Sequence, residues 1–334
     1  MHVVVDTLKG SYLDLLHDEV GIFHLKTSHI FWGLPYFCTY LLRNKPAVVI
    51  TPVVRHTILV LRSKFLIRST TRVYAQVHSS YSEAFKFLKF WKRSRRIAQL
   101  KKYYPRCEAV FTVSKGVAED FRKYTGISQD HLITIHNPMT TDEIGVLAME
   151  EVDHPWFQDG SPPVLLGVGR LTTPKNFPLL ITAFEIVRSK IKCRLVILGD
   201  GHLRDELELR ASYSPYRNDI SFPGHRINPF PYMRRAAVFA MSSSWEGFGN
   251  VLVEAMATGT PVVATDCPHG PREILEGGKY GPIVPPDDAE KLAEAIVGLF
   301  LNPTPRELLI EGSRRFNARA IAIRYLEALG LSAL

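Results

Sequence analysis

The chain of 334 residues is long enough for two domains of ordinary size, and its 46% hydrophobic and 22% charged residues are typical of a globular protein. This composition excludes a fibrous or disordered chain, and no apolar run reaches the roughly 18 residues that a membrane-spanning helix needs. The net charge of +8 is uneven: residues 1–150 carry 21 Lys and Arg against 12 Asp and Glu, and residues 151–334 carry 20 against 21.

Short apolar runs rich in β-branched residues recur along the chain, with helical stretches between them. Six predicted strands lie in the first half, namely HVVV, GIFHL, AVVITPV, RVYAQVHS, EAVFTVS and LITIHN. Six more lie in the second half, namely PVLLGVG, CRLVILGDG, ISFPG, AVFAMSS, PVVATDC and GPIV. Continuous apolar strands that alternate with helices are typical of parallel sheets covered on both faces. The predicted fold class is therefore α/β, with two doubly wound domains.

The domain boundary is predicted near residue 150. The polar, proline-containing interval from Thr140 to Pro163 is the best candidate for a linker. We therefore expect a first domain over residues 1–150 and a second over residues 151–312. The final segment, residues 313–334, is predicted to be helical and to pack back toward the first domain.

Targeting and redox signals favour a cytoplasmic location. The chain reaches an acid at Asp6, too early for a secretory signal that begins at Met1. The four cysteines are scattered, with neither a C-x-x-C pair nor the spacing of metal ligands. We therefore expect a reducing compartment and no structural zinc.

The positive charge of the first half is concentrated between Lys86 and Arg106, where there are nine Lys and Arg and no acid. Apolar residues interleave with these cations, namely Phe87, Phe90, Trp91, Ile97 and Leu100. A solvated helix face is one interpretation, although such a face usually mixes both signs of charge. The other is a basic amphipathic helix on anionic lipid headgroups or beside an acidic acceptor. Nucleic acid is not expected, because no recognised nucleic-acid module accompanies the segment.

Two cations follow the strand PVLLGVG. Open α/β sheets bind their ligands at the carboxyl ends of their strands. Arg170 and Lys175 precede a helix that we expect to begin near Phe177. Free N–H groups and the helix dipole favour an anion such as phosphate there, although a pair of ordinary surface cations is the alternative. The stretch is not a dinucleotide fingerprint, because Thr172 stands where G-x-G-x-x-G requires glycine.

The stretch EGFGNVLVE, residues 246–254, follows the strand AVFAMSS and opens a predicted helix. Asn250 is predicted as its N-cap, and Gly259 stands at the position that ends it. Gly247 and Gly249 permit unusual dihedrals and a close approach of the backbone to a ligand. We therefore expect the start of this helix to face a bound molecule.

Glu246 and Glu254 lie on either side of that helix start. Carboxylates accept hydrogen bonds from sugar hydroxyls, and the helix start beside Arg170 and Lys175 suits a diphosphate. A sugar nucleotide has these groups in this order. The alternative is that Glu254 pairs with a lysine and Glu246 caps a turn.

Taken together, these motifs make the second half resemble the retaining GT-B glycosyltransferases of family 4 (glycosyl transferases group 1), of the kind that build bacterial polysaccharide and lipopolysaccharide. The motifs follow in the family's order: GVGRL with PKN, LVILGDG, EGFGNVLVEAMATGTPVVATDC and GPREIL. The likeness extends into the first half through RVYAQVHSS, AVFTVSKGVAEDF and TIHNP. The resemblance implies two Rossmann-like domains with a cleft between them. It also implies no metal, no cofactor and a nucleoside-diphosphate sugar as co-substrate, with UDP expected ahead of GDP.

The resemblance implies roles for the donor-binding residues. Arg170 and Lys175 are implied to neutralise the donor diphosphate, and Glu254 to bind the nucleoside ribose. The nucleobase is expected near His225 and Arg226, after ISFPG. The implied donor-binding set is Arg170, Lys175, Arg226, Gly247, Phe248, Gly249, Asn250 and Glu254.

The implied catalytic residues are His78 and Glu246. His78 ends RVYAQVHSS and matches a first-domain histidine at the reacting centre, although a lone histidine at a strand end is more often structural. Glu246 and the loop backbone after it are implied to hold the donor sugar. The implied reaction moves a hexose or N-acetylhexosamine to a glycan or lipid-linked acceptor with retention of configuration. Cations and amides that stabilise the leaving diphosphate make a metal unnecessary, and Asp287-Asp288 lies outside the context of a DxD metal motif.

The chain departs from the family pattern at its start. Relatives begin with a strand and a glycine-rich loop that approaches the donor phosphates, whereas Met1 stands here near the second strand. We therefore expect a first domain without that strand and loop, in a protein that is cytoplasmic or peripheral on the inner face of the cytoplasmic membrane. Two other functions stay open: a non-catalytic nucleotide-sugar-binding remnant or scaffold, and a nicotinamide dehydrogenase, against which the absent fingerprint counts.

Overall fold

The computed structural model describes residues 1–6, 16–25, 27, 30–86 and 88–331. Packing divides the chain into two units. The first comprises Met1–His78, Phe85–Thr112 and Ala118–Thr134, and the second comprises Ser79–Ala84, Val113–Val117 and Ile135–Leu334. Residues 135–150 thus pack with the second unit, and the domain boundary at residue 150 stays a prediction.

All six strands predicted for the first half are present. They are β1 (His2–Val5), β2 (Gly21–His24), β3 (Val48–Thr51), β4 (Arg72–Val77), β5 (Ala109–Thr112) and β6 (Leu132–Thr134). In the described part of this unit, β1 and β2 pair in parallel as one sheet, and β3 to β6 form a second parallel sheet in chain order. The helices are α1 (Ile30–Asn44), α2 (Val54–Leu66), α3 (Tyr81–Lys86), α4 (Phe90–Tyr103) and α5 (Lys115–Thr125).

The core of the first unit is centred on β4 and β5. Val73, Ala75 and Val110 are almost inaccessible to solvent, and the rings of Tyr74 and Phe111 stack with centroids 5.4 Å apart. Strands buried on both faces need apolar residues at consecutive positions, which accounts for the continuous apolar runs in the sequence.

The six strands predicted for the second half are also present. They are β7 (Val164–Val168), β8 (Arg194–Leu198), β9 (Ile220–Gly224), β10 (Val238–Met241), β11 (Val262–Thr265) and β12 (Ile283–Val284). Their helices are α6 (Ile144–Leu147), α7 (Phe177–Arg188), α8 (Arg204–Ser212), α9 (Phe230–Arg235), α10 (Asn250–Ala257), α11 (Pro271–Ile274), α12 (Ala289–Leu301), α13 (Arg306–Ser313) and α14 (Ala318–Ala328).

The strand order of the second sheet is β12-β11-β10-β7-β8-β9, and all its pairings are parallel. This is the doubly wound Rossmann order, in which the first three strands are added in one direction across the sheet and the last three in the other, starting from the neighbouring first and fourth strands. Those strands are β7 and β10. Ligands of open α/β sheets bind beyond the carboxyl ends of such a pair, so the loops after β7 and β10 are where a site is expected.

Helix α7 shows how the sequence sets this architecture. Phe177, Leu180, Ile181 and Phe184 recur at the spacing of one helix face, and each is at most 4% exposed. Pro178 in the first turn needs no N–H partner, and Arg188 in the last turn complements the helix dipole. The apolar face packs on the sheet beside α12, which fixes the loop that precedes α7.

The helix α14 lies within the predicted C-terminal helical segment. The Asn317 side chain caps it by accepting hydrogen bonds from the N–H groups of Arg319 and Ala320, and Asn317 bridges to Thr140. The packing of this segment toward the first domain stays a prediction. Among the helices that the structure describes, none is both long and apolar enough to cross a lipid bilayer.

Candidate functional site

The turn after β7 is held close to the turn after β8. The N–H of Leu171 donates to the Asp200 carbonyl, and that of Gly169 to the Leu198 carbonyl. Gly199 adopts φ +138, and a Cβ there would collide with the Gly169 carbonyl. Glycine is therefore required at position 199 to let the two backbones meet. This packing fixes the stretch that carries both predicted cations.

Of the two predicted cations, Lys175 makes the more hydrogen bonds. Its Nζ donates to Glu246 Oε1 at 2.6 Å, and its backbone carbonyl accepts from Ser242 Oγ at 2.9 Å. The side chains of Lys175 and Glu246 are only 19% and 11% exposed. Arg170 is exposed in the same turn. The loops after β7 and β10 thus meet through a half-buried ion pair.

Two further hydrogen bonds fix Glu246. Ser243 Oγ donates to its Oε1 at 2.7 Å, and its N–H donates to the Pro268 carbonyl at 2.9 Å. The N–H of Ser244 also reaches the Pro174 carbonyl at 2.8 Å. Loops after three adjacent strands therefore hold one carboxylate at the switch point of the sheet.

The helix α10 begins at Asn250, and its N-cap is Gly249, so the prediction of Asn250 as N-cap is wrong by one residue. The left-handed φ of +105 at Gly249 is one that glycine adopts without strain. The Asn250 side chain is engaged elsewhere, because its Oδ1 accepts from Asn137 Nδ2 at 2.8 Å. The predicted helix end is confirmed, with Gly259 at φ +72 directly after the C-cap Thr258.

The loop before α10 presents backbone rather than side chains. Phe248 is 2% exposed, and its ring packs between those of His136 and Phe316. The N–H groups of Gly247, Phe248 and Gly249 make no hydrogen bond to any residue that the structure describes. Free N–H groups just before a helix N-terminus are suited to bind an anion or a sugar hydroxyl.

Glu254 lies one turn inside α10 and is half-buried. Burial raises its pKa to about 7, and the nearby positive charge of Lys175 opposes that rise. Within the described residues its carboxylate accepts no hydrogen bond. A desolvated carboxylate that receives no hydrogen bonds from the protein can accept hydrogen bonds from a ligand.

Sequence reasoning missed three residues that position this loop, namely Ser114, His136 and Glu273. Ser114 Oγ donates to the Gly247 carbonyl at 3.0 Å. Glu273 accepts from the N–H groups of Lys115 and Gly116 at 3.1 and 3.0 Å, and His136 Nε2 lies 3.2 Å from its Oε2. These contacts join residues more than 130 positions apart, and only the motifs VSK, HNP and GPREIL could have pointed to them.

Arg226, predicted near the nucleobase, follows β9 and has partners within the protein. Its Nε donates to Tyr232 Oη at 3.0 Å, and its guanidinium lies 3.6 Å from Asp153. The Tyr232 hydroxyl donates to Asp153 in turn. The hydrogen bond to Tyr232 raises the pKa of Arg226, so the cation is permanent. Its role at a nucleobase stays a prediction, as does that of the exposed His225.

His78 directly follows β4 in the first unit. Its ring is solvent-accessible, yet desolvation by the groups around it lowers its pKa, so the imidazole is neutral at pH 7. A neutral imidazole carries both an N–H donor and an acceptor nitrogen. Its predicted place at the reacting centre stays a prediction.

The acidic pair near the end of the second unit is structural. Asp288 Oδ1 accepts from the N–H of Lys291 and caps α12, and Asp287 accepts from Asn176 Nδ2 at 2.8 Å. In the described part of the chain no group of three or more His, Cys, Asp or Glu is arranged to hold a metal ion.

Family comparison matches the two halves separately. Residues 162–302 match the family model described as Glycosyl transferases group 1, and residues 2–143 match the one described as Glycosyltransferase Family 4. Together the two matches leave only short stretches of the chain outside them. Every loop residue of the site after β7 and β10 falls within the first match.

Two curated relatives are similar to this chain in sequence. N-acetylgalactosamine-N,N'-diacetylbacillosaminyl-diphospho-undecaprenol 4-alpha-N-acetylgalactosaminyltransferase of Campylobacter jejuni is 33% identical over 58% of this chain and 51% of its own length. The lipopolysaccharide core biosynthesis glycosyltransferase LpsE of Rhizobium meliloti is 28% identical over 76% of this chain and 72% of its own. The match thus spans about half the length of the first relative.

A solved structure shows the same fold. The crystal structure of Anabaena HepE in complex with UDP-glucose aligns with a TM-score of 0.78, at 19% identity, over 98% of this chain and 91% of HepE. At this identity the likeness is evidence of fold alone. It confirms the predicted GT-B class of two Rossmann-like units with parallel sheets.

Proposed function

This chain is a member of the group 1 and family 4 glycosyltransferases, and we propose that it transfers a hexose or N-acetylhexosamine from a nucleoside-diphosphate sugar to a glycan or lipid-linked acceptor. One observation carries the proposal. The switch point between β7 and β10 brings together the Lys175–Glu246 pair, three free N–H groups and the carboxylate of Glu254. These groups complement a diphosphate and the sugars on either side of it.

The diphosphate is bound by Arg170, Lys175 and the start of α10. A lysine ammonium has three N–H donors, and the pair with Glu246 uses one of them, which leaves two for phosphate oxygens. Breaking the anomeric bond adds negative charge to the leaving diphosphate. Donors fixed before the reaction stabilise that charge, typically by a few kcal/mol each. This arrangement supports departure of the leaving group without a metal.

The carboxylates bind the sugars. Glu254, which accepts no hydrogen bond from the described protein residues, receives the ribose hydroxyls. Glu246 keeps one oxygen on Lys175 and Ser243 and offers the other to the donor sugar, together with the N–H groups of residues 247–249. Retention of configuration and the role of His78 follow from the family resemblance and are part of this proposal. UDP is the proposed nucleotide, and the UDP-glucose bound by HepE favours it.

The first unit, which is proposed to receive the acceptor, is also proposed to contact an anionic membrane through Lys86–Arg106. In that segment α4 carries exposed Phe90 and Trp91, at 83% and 58%, with cations along the rest of its surface. Phe87 lies outside the described residues. Amphipathic aromatic and cationic helices bind anionic headgroups in this way. The Campylobacter relative, whose name specifies a diphospho-undecaprenol substrate, favours a peripheral location on the inner face of the cytoplasmic membrane.

A panel of UDP- and GDP-sugars tests the proposal by release of nucleoside diphosphate with and without acceptor glycolipid. We expect turnover with at least one UDP-sugar, and its loss in Glu246→Ala. The matched control is Glu294→Ala, which removes an exposed carboxylate on α12. Nucleotide binding without any transfer or hydrolysis would favour the non-catalytic remnant, and equal activity of both variants would contradict the site.

A further inference from the structure

The C-terminal ends of α2 and α4 meet at a cavity of about 1080 Å³ within the first unit. Five cations line it and no carboxylate does, namely Arg62, Lys64, Arg68, Lys102 and Arg106. The two helices lead to the first residues of β4 and β5. The cavity therefore lies at the amino end of that sheet, opposite the end where α/β sheets bind their usual ligands.

The charge of this cavity is not neutralised by the protein. Within the described residues none of the five cations pairs with a carboxylate. Each helix C-terminus supplies about −0.5 charge, so α2 and α4 together offset about one of the five positive charges. The remaining positive charge of about +4 is self-repulsive, and a bound anion would relieve it.

Tyr103 fixes three of the cations. It is 6% exposed, and its hydroxyl accepts from Arg62 Nε and Nη2 at 3.2 and 3.1 Å. Lys102 and Arg106 lie 5.8 and 5.9 Å from the centre of its ring. The cationic groups are thus held around one buried ring instead of spreading into solvent, which reduces the entropy lost on binding an anion.

Arg68 occupies a position where glycine is favoured. Its φ of +53 follows the end of α2, where a left-handed residue usually terminates a helix and a Cβ is costly. The strained conformation places a guanidinium at the cavity. Such outliers concentrate where a side chain has a binding role.

Apolar groups complete the cavity. Leu34 and Leu61 line it, and Phe65 and Leu66, which also line it, are 85% and 65% exposed. Exposed large apolar residues beside a cationic cavity fit a ligand with phosphate at one end and hydrocarbon at the other.

We propose that this cavity is a binding site for the phosphate headgroup of an anionic lipid, with Phe65 and Leu66 in contact with the hydrocarbon. It is built entirely from residues of the first unit and is independent of the donor loops. It deepens the proposed membrane contact of Lys86–Arg106 and rests on that proposal.

Cosedimentation of the full chain with phosphatidylcholine vesicles containing phosphatidic acid tests the site. The variant Arg68→Gly/Arg106→Gln removes two lining cations, and glycine relieves the strain at position 68. We expect its vesicle affinity to fall about 30-fold, which corresponds to about 2 kcal/mol for two cations at a lipid surface. The control Arg122→Gln/Lys123→Gln removes the same charge from exposed positions on α5, outside both the cavity and Lys86–Arg106, and should lose less than about fivefold. UDP binding, which uses the other unit, should be unchanged in both.

Each other outcome overturns the site. Equal losses in the two variants would show diffuse electrostatic attraction. If charge reversal of Arg93, Arg95 and Arg96 abolished vesicle binding and the cavity variant did not, the membrane contact of α4 would be supported. The cavity would then not be a lipid site. Calorimetric binding of inorganic pyrophosphate that depends on Arg68 and Arg106, without any binding to vesicles, would make free phosphate the ligand instead of a lipid.

Discussion

Lys175 Nζ lies 2.6 Å from Glu246 Oε1, and this ion pair joins the loops at the carboxyl ends of β7 and β10. Both side chains are largely shielded from solvent, so their attraction is screened less than that of a surface pair. The cation that we propose for phosphate and the carboxylate that we propose for sugar therefore lie side by side. Such preorganisation avoids reorganisation at the moment of reaction.

Glu254 predicts a pH dependence of stability. Its pKa is about 7 in the folded protein against a usual 4.5, so the folded state holds a proton that the unfolded state releases. Stability from this group therefore falls as pH rises from about 5 to 7, by up to about 3 kcal/mol. Glu254→Gln removes the effect. Urea unfolding should show the variant gaining stability relative to wild type from pH 5 to 8, and a constant difference would contradict the buried charge.

Glu273 predicts the opposite pH dependence. Burial acts to raise its pKa, but hydrogen bonds from His136 and from the N–H groups of Gly116 and Lys115 outweigh it and lower the pKa. Its contribution is therefore present near neutral pH and is lost as pH falls through the lowered pKa. Glu273→Gln should cost about 1–3 kcal/mol in urea unfolding at pH 7. Glu294→Gln, at an exposed pair with Lys291, should cost less than about 1 kcal/mol; similar costs would refute the network.

Gly270 leaves room for the loop before α10, because glycine has no side chain. Its φ is +102, and a Cβ would collide with the Phe248 carbonyl. Gly270→Ala should therefore displace residues 247–249 and weaken UDP binding by at least about tenfold, measured by calorimetry. Gly145→Ala is the control, because a Cβ there meets nothing within 4 Å. Unchanged affinity in Gly270→Ala would show that the loop backbone does not bind the donor.

The segment Lys86–Arg106 predicts salt-dependent membrane binding. Reversing Arg93, Arg95 and Arg96 to Glu should reduce cosedimentation with anionic vesicles by at least about 100-fold, at about 1 kcal/mol for each cation removed. The loss should be greater at low salt, where screening is weaker. Reversal of Arg122 and Lys123, exposed on α5, is the control. Equal vesicle binding by the two variants would show that α4 presents an ordinary solvated face.

The fold was predictable because its signals are local. Each of the twelve apolar runs became a parallel strand, and Gly259 ended α10 as expected. Lys175 and Glu246 follow two strands of the second sheet, so their meeting could be predicted from the rule for strand ends.

The remaining features depend on contacts between distant residues. The bond from Ser114 to Gly247 and those from Glu273 to the start of α5 link separate motifs, and no local pattern specifies the pairing. The N-cap of α10 is Gly249 instead of the predicted Asn250, and the Asn250 side chain bonds to Asn137, more than 100 positions away. The two separate sheets of the first unit likewise follow from strand pairing rather than from any single strand.

Calorimetric titration of UDP into wild type, Lys175→Ala and Lys190→Ala tests the donor site most directly. Lys190 is an exposed lysine just beyond α7, so its loss changes the charge equally and leaves the site intact. We predict saturable binding by wild type and Lys190→Ala, and an affinity about 10- to 100-fold lower for Lys175→Ala, as expected when one charge-assisted hydrogen bond to phosphate is removed. Equal affinities in all three proteins, or no heat with any nucleoside diphosphate, would contradict the claim that the loops after β7 and β10 bind the donor.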